Sequence, residues 1–250
     1  MALIAYQRAS HFKITGARRV SDANHNCWIC GAPGAAGEHM IKNSDLKLEF
    51  RSVTQQAPLY FHRKGSKSKP IGSFDAKLLK YRILCEECNT SRTQGHDCAW
   101  EKLSTFLGTR KPEPGTIVRA NSIFPDSTPQ EMLNVHLYFV KRFGCEIIEA
   151  GAPIDIRAFS NAILDGTWHP HLYLRVGRIV PFPESKQIAG FDKVREVKHP
   201  DGSSVFGWLY GIGCMSVQVL HATNVALLPL EAWHPRTSAD SLVIAKFPGS

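Results

Sequence analysis

Apolar side chains recur along this chain at two different periods, and the period changes near its middle. Trp100, Leu103, Phe106 and Leu107 step by three and four residues, which predicts a helix running from about Glu86 to Leu107 with one buried face. Gly108 and the stretch Lys111-Pro112-Glu113-Pro114-Gly115 end that helix and mark the expected domain boundary near residue 110. A second helix is predicted from Pro129 to Phe143. Ser127 or Thr128 is placed to cap it, and Met132, Leu133, Val135, Leu137, Tyr138, Val140 and Phe143 supply its apolar positions. A shorter helix follows over 156–164. Beyond it, 171–176, 205–210, 215–220 and 242–247 read as strands separated by Gly and Pro.

The amino-terminal part is less regular. Asp45 to Phe50 alternates polar and apolar residues, as a half-buried strand or a short helix end would. The Gly- and Pro-rich turn 31–37 breaks regular structure before Glu38-His39, which is expected to begin a short strand. Together these elements predict an α+β protein of two parts: a module over 1–110 and a mixed, β-rich domain over 111–250. No run approaches the roughly 18 to 20 apolar residues that span a membrane, and Met1 to Arg8 is too short for a secretory signal, so a cytoplasmic location is expected.

Charge divides the chain at the same place. The net charge is +8, and all of it falls in residues 1–110, where 17 Lys or Arg face 9 Asp or Glu. Such a field is the expected footprint of a polyanion partner, DNA first and RNA as the alternative. Its densest part is an inserted basic loop at about 51–82, with Arg63, Lys64, Lys67 and Lys69 at its centre. With Lys80 and Arg92, these are the expected phosphate contacts, because mobile point charges can follow a backbone without reading bases. Lys102 shares the first helix with Arg92 and could touch phosphates as well. The evenly charged second part is expected to serve a protein partner or a homodimer.

Seven cysteines add chemistry. Cys27-Trp28-Ile29-Cys30 and Cys85-Glu86-Glu87-Cys88 are two Cys-x-x-Cys knuckles, the spacing that clamps one tetrahedral zinc ion. In a reducing compartment, paired knuckles hold metal more often than they form disulfides. Cys98, Cys145 and Cys214 lack that spacing and read as small buried hydrophobes. Glu38-His39 lies between the knuckles and Asn89 directly follows the second, suggesting a separate open site in which a hard cation such as Mg2+ or Mn2+ meets oxygen ligands. His96 follows Asn89 by seven residues, two turns of a continuous helix, and is a candidate third ligand. His25 reads as structural, and His169-Pro170-His171 has no nearby carboxylate or cysteine to complete a metal site.

The order Cys27-x-x-Cys30, Glu38-His39, Cys85-x-x-Cys88-Asn89 resembles the HNH endonucleases. The resemblance covers about residues 24–107 and implies a ββα-metal module stapled by zinc. It implies that His39 is the general base, that Glu38 and Asn89 are ligands of the catalytic cation, and that the four cysteines hold a structural zinc, one per chain. Two features depart from the family. The family's middle asparagine has no counterpart in 77–82, which leaves Asn43, a loop carbonyl or Lys80 to prop the histidine. The 54 residues between the knuckles are also long for the family, so the basic loop is an insertion. The expected function is metal-dependent hydrolysis of phosphodiester bonds in DNA, and the alternative is a non-catalytic zinc module that binds nucleic acid.

Overall fold

The computed structural model describes residues 11–14, 26–34, 36–63, 67–183 and 187–249. After strand β1 (His11–Ile14), strand β2 (Ala36–His39) carries Glu38 and His39 and leads into helix α1 (Asn43–Phe50). Strands β3 (Leu59–Arg63) and β4 (Lys69–Ile71) form an antiparallel hairpin, with β1 parallel to β3. The expected basic loop is therefore largely built structure, although Lys64 lies outside the described residues. Leu59, Phe61 and Ile71 are buried, and their burial draws this polar segment onto the core.

Strand β5 (Lys80–Leu84) returns antiparallel to β2, opposing Glu38 to Tyr81 and His39 to Lys80, with a register shift between Ala36 and Glu38. The chain then forms helix α2 (Glu86–Asn89) and helix α3 (Gln94–Arg110). The single helix expected over 86–107 is thus broken at 90–93. Thr93 Oγ1 donates to the Cys88 carbonyl (2.9 Å) and Arg92 N reaches five residues back to the Glu87 carbonyl (3.0 Å), so the regular helical ladder does not continue past Thr90. Lys111 in the left-handed region (φ 46°), followed by Pro112, ends α3.

The second half begins with β6 (Ile117–Arg119) and the 23-residue helix α4 (Thr128–Ala150), which has Pro129 in its first turn and Gly151 at φ 62° after its end. Helix α5 (Arg157–Asp165) packs on α4. A six-stranded sheet follows, made of β7 (Leu172–Val180), β8 (Ala189–Phe191), β9 (Arg195–Lys198), β10 (Ser204–Ile212), β11 (Met215–Ala222) and β13 (Ala245–Pro248). Its order is β13-β7-β11-β10-β8, with β9 also on β10 and β13 parallel to β7. Strand β12 (Ser241–Val243) pairs with β6 instead. The protein is mixed α+β, with the strands concentrated in the second half.

Helix α4 is buried on almost every side because it lies between α3 and the sheet. Phe139 meets Trp100 at 4.7 Å and Tyr210 at 6.0 Å between ring centroids. The apolar core passes without a break from Cys27 to Ile244, across the expected boundary at residue 110. Asp45 of α1 is fully buried and accepts from Trp100 Nε1 (2.8 Å) and Ser104 Oγ (2.7 Å) of α3, and from the Tyr210 hydroxyl (2.7 Å) of β10. One carboxylate therefore ties together three elements from both halves. Among the described residues, no helix is long and apolar enough to cross a membrane.

Candidate active site

The knuckles converge. Residues 26–33 fold back on themselves, with Gly31 N donating to the Cys27 carbonyl and Cys27 N to the Ala32 carbonyl, both at 2.8 Å. Gly31 takes φ 74°, a conformation that favours glycine. Trp28 N donates to the Ile83 carbonyl (3.3 Å), which brings the first knuckle beside β5 and hence beside the second. The sulfurs of Cys27, Cys30, Cys85 and Cys88 all lie within 4.8 Å of one another, and Cys30 and Cys85 are 3.5 Å apart. Tetrahedral zinc with bonds of about 2.3 Å sets its sulfurs about 3.8 Å apart, so the group could hold such an ion. Burial pushes the Cys85 and Cys88 thiols up, and a divalent cation would supply the charge that makes thiolates stable there.

A cleft of about 400 Å³ has Asn89, the residue after Cys88, in its wall. Glu38, His39 and Asn89 line it, so three of the four residues singled out as an open site share one cavity. Asn43, Asp97, Glu101 and Tyr138 line it as well. His39 Nε2 is 3.1 Å from Asp75 Oδ1; because a carboxylate only accepts, Nε2 carries the proton and Nδ1 is the acceptor. Asp75 also pairs with Lys80 at 3.3 Å. Burial, and then the Lys80 charge, lower the His39 pKa below 6.5, so the ring is neutral at pH 7. Asp75 thus props the histidine, the task expected of Asn43, Lys80 or a loop carbonyl; Lys80 pairs with Asp75 and also bears on the ring through its charge.

Glu38 is buried, and Oε1 is 3.3 Å from Lys141 Nζ and 3.5 Å from Arg142 Nη1. Both cations belong to α4 and are fully buried. Lys141 also reaches Asp97 (2.9 Å) and Thr93 Oγ1 (3.2 Å), while Arg142 donates to the carbonyls of His39 and Met40. Burial alone would lower Lys141, but Glu38 and Asp97 outweigh it and raise its pKa, so its ammonium stays protonated. Asn89 Oδ1 is buried with no hydrogen-bond partner, as is Asn43 Oδ1. Unpartnered oxygens beside carboxylates suit a hard cation. Among the described residues, however, only the four cysteines form a group of three or more acidic, His or Cys ligands within 4.8 Å. A cation in the cleft would have to rely on Asn oxygens or water as well.

Other expectations fare differently. His96 is buried and does not line the cleft, because the break at 90–93 removes the helical register that would have aligned it with Asn89. Arg92 is paired with Glu87 at 2.5 Å and Lys102 with Glu131 at 3.5 Å. Lys67 and Lys69 are exposed, and Arg63 is described only as backbone at the end of β3. Cys145 and Cys214 are buried, whereas Cys98 is exposed. His25 lies outside the described residues. Asp75, Asp97, Lys141 and Arg142 line or contact the candidate site, and the sequence did not single them out. Lys141-Arg142 carried a signal, two consecutive charges inside an otherwise apolar helical pattern.

None of the protein-family models, curated proteins or solved structures compared with this chain matches it.

Proposed function

We propose that this chain is a metal-dependent endonuclease of the HNH type, acting on phosphodiester bonds in DNA. The observation that carries the proposal is one cleft lined by a neutral, carboxylate-held His39, the Glu38 carboxylate and the unpartnered oxygen of Asn89. In this reading the four cysteines hold one structural zinc, which fixes β5 and the start of α2 against the first knuckle. His39 Nδ1 takes the proton from the attacking water, and Asp75 steadies the ring through Nε2–H. Arg142 fixes the backbone on either side of the His39–Met40 peptide. Magnesium or manganese held by Glu38 and Asn89 would neutralise charge on the phosphate and on the leaving oxygen. His96 is left out of the ligand set because it does not line the cleft. Lys67 and Lys69 remain the exposed charges suited to the strand's phosphates.

A second reading, a zinc module that binds nucleic acid without cutting it, is favoured by one feature: the Glu38 carboxylate already engages Lys141 and Arg142. Plasmid nicking with magnesium or manganese separates the two. The expected result is nicking by the native chain and none by His39→Ala, with zinc content unchanged at one per chain. Tight binding of DNA without metal-dependent nicking would favour the second reading. Purified protein without zinc and with a Cys27–Cys30 disulfide would overturn both.

A further inference from the structure

Helices α1 and α3 lie side by side and run the same way. Lys42 pairs with Glu101 at 3.3 Å, Ser104 Oγ donates to Asp45, and Leu48 meets Gly108, where an added Cβ would sit 2.7 Å from Leu48 Cδ2. That register brings the two carboxyl-terminal ends together, with Arg51 closing α1 and Lys111 closing α3. Both have positive φ, 58° and 46°, and among the described residues no other non-glycine residue does. Arg51, with ψ −72°, centres a γ-turn of the strained kind, closed by Ser52 N donating to the Phe50 carbonyl at 2.7 Å. Glycine fits such positions without strain, and it stands at the same place after α4 and α5 as Gly151 and Gly166. A strained backbone kept under a charged side chain points to a use for the charge.

Offsetting the helix dipole does not account for the two residues. Lys47 in the last turn of α1 and Arg110 in that of α3 already serve it, with no positive φ. Arg51, Arg110 and Lys111 are exposed and make no ion pair among the described residues. Of the nearby acids, Glu49 feels the Lys111 charge but is partly buried and accepts from Ile188 N, and Glu113 is paired with Arg178. Arg178, from the second half, also donates to the Lys111 carbonyl at 3.2 Å, and exposed Lys246 lies across from it on β13. Lys47, one turn before Arg51 on the same face, lines the cleft and so links the caps to it. We infer that the paired helix ends, Arg51 and Lys111 with Lys47 and Arg110 beside them, are a docking surface for the phosphate backbone of a DNA duplex that runs on into the cleft. Both readings of the function require such a surface; only the strand's course to His39 rests on the nuclease reading.

The test is fluorescence anisotropy of a short labelled DNA duplex titrated with the full chain, without divalent cation, over a range of salt. Arg51→Gly and Lys111→Gly each remove one charge and relieve the backbone. Each should weaken binding about five- to tenfold at low salt and lower the slope of log affinity against log salt by about one. Their urea midpoints should hold or rise, because relief at positive φ offsets the charge lost at the helix end. Lys47→Met leaves the caps' backbone untouched and should lower the slope as well, which keeps the test valid should a glycine variant not fold. Lys198→Met, on β9 at the other end of β10, should bind as the native chain does. An equal loss in Lys198→Met would make net charge the cause and overturn the surface. Unchanged affinity and slope in both glycine variants overturn it too, even if DNA is cut, and a lowered midpoint with them would leave the two residues as caps alone. The expected losses without metal-dependent nicking would keep the surface and remove the nuclease reading.

Discussion

The Lys141 ammonium, fully buried in α4, lies 3.3 Å from the Glu38 carboxylate and 2.9 Å from that of Asp97. A residue from beyond the expected boundary at 110 therefore sits behind the candidate site, and the cysteine-bearing part does not complete that site alone. Lys141→Met would leave the Asp97 carboxylate without its cation and Glu38 with Arg142 alone. Breaking a buried pair by removing one partner costs about 3–5 kcal/mol, so urea unfolding at pH 7.5 should show a loss of that order. A loss near zero would mean that the bridge adds nothing to stability.

The cysteine cluster leads to a second expectation. A structural zinc stabilises only the folded chain, and removing it costs much of the folding free energy. A strong chelator, or Cys85→Ser, should release about one zinc per chain by a colorimetric assay and lower the melting temperature by more than about 10 °C. If the melting temperature is the same with and without chelator, the cluster is not a metal staple.

Much of this was legible from residues alone, and the parts that were not have physical reasons. The knuckles were legible because Cys-x-x-Cys geometry is local. Helix α4 was legible because Met132 to Phe143 repeat at helical spacing, and the longer strands of the sheet because they alternate or run apolar. The hairpin at 59–71 was hidden by its lysines and arginines, although Leu59 and Phe61 alternate inward beneath them. The break between α2 and α3 goes with the Thr93 hydroxyl on the Cys88 carbonyl, a local bond that periodicity does not register. Asp75 was invisible as a partner of His39 because 36 positions separate them, and Arg142 lies 103 positions from the carbonyl it holds. Pairing across such distances is a property of the fold.

Asp75 is the least conspicuous residue of the candidate site, being an exposed carboxylate on a turn. If it sets the tautomer and angle of His39, Asp75→Asn should lower kcat for plasmid nicking about 10- to 100-fold with little change in KM, as expected for an orienting partner of a general base. The acid limb of the native pH profile should fall below 6.5, since burial and Lys80 depress the His39 pKa. An acid limb above 6.5 would argue against His39 as the base.

Acid stability tests a different part of the molecule. His136, His169, His171, His221 and His234 crowd together where α4, β7, β11 and the segment 233–236 meet; the His136 and His234 rings are 5.1 Å apart and those of His169 and His221 5.6 Å. Burial, reinforced by mutual repulsion, pushes His169 down to about 3 and His221 down to about 4, and lowers His136 and His234 as well. These folded values lie below the ordinary 6.5, so the unfolded chain binds more protons and acid favours unfolding. The stabilisation is complete above about pH 6.5 and is lost as pH falls towards the folded values, at about 2 kcal/mol each for His169 and His221 by pH 5. Urea midpoints should therefore drop steeply between pH 7.5 and 5, and His221→Gln should flatten the slope by about one proton. Identical slopes for native and variant would show that His221 is not among the groups that set it.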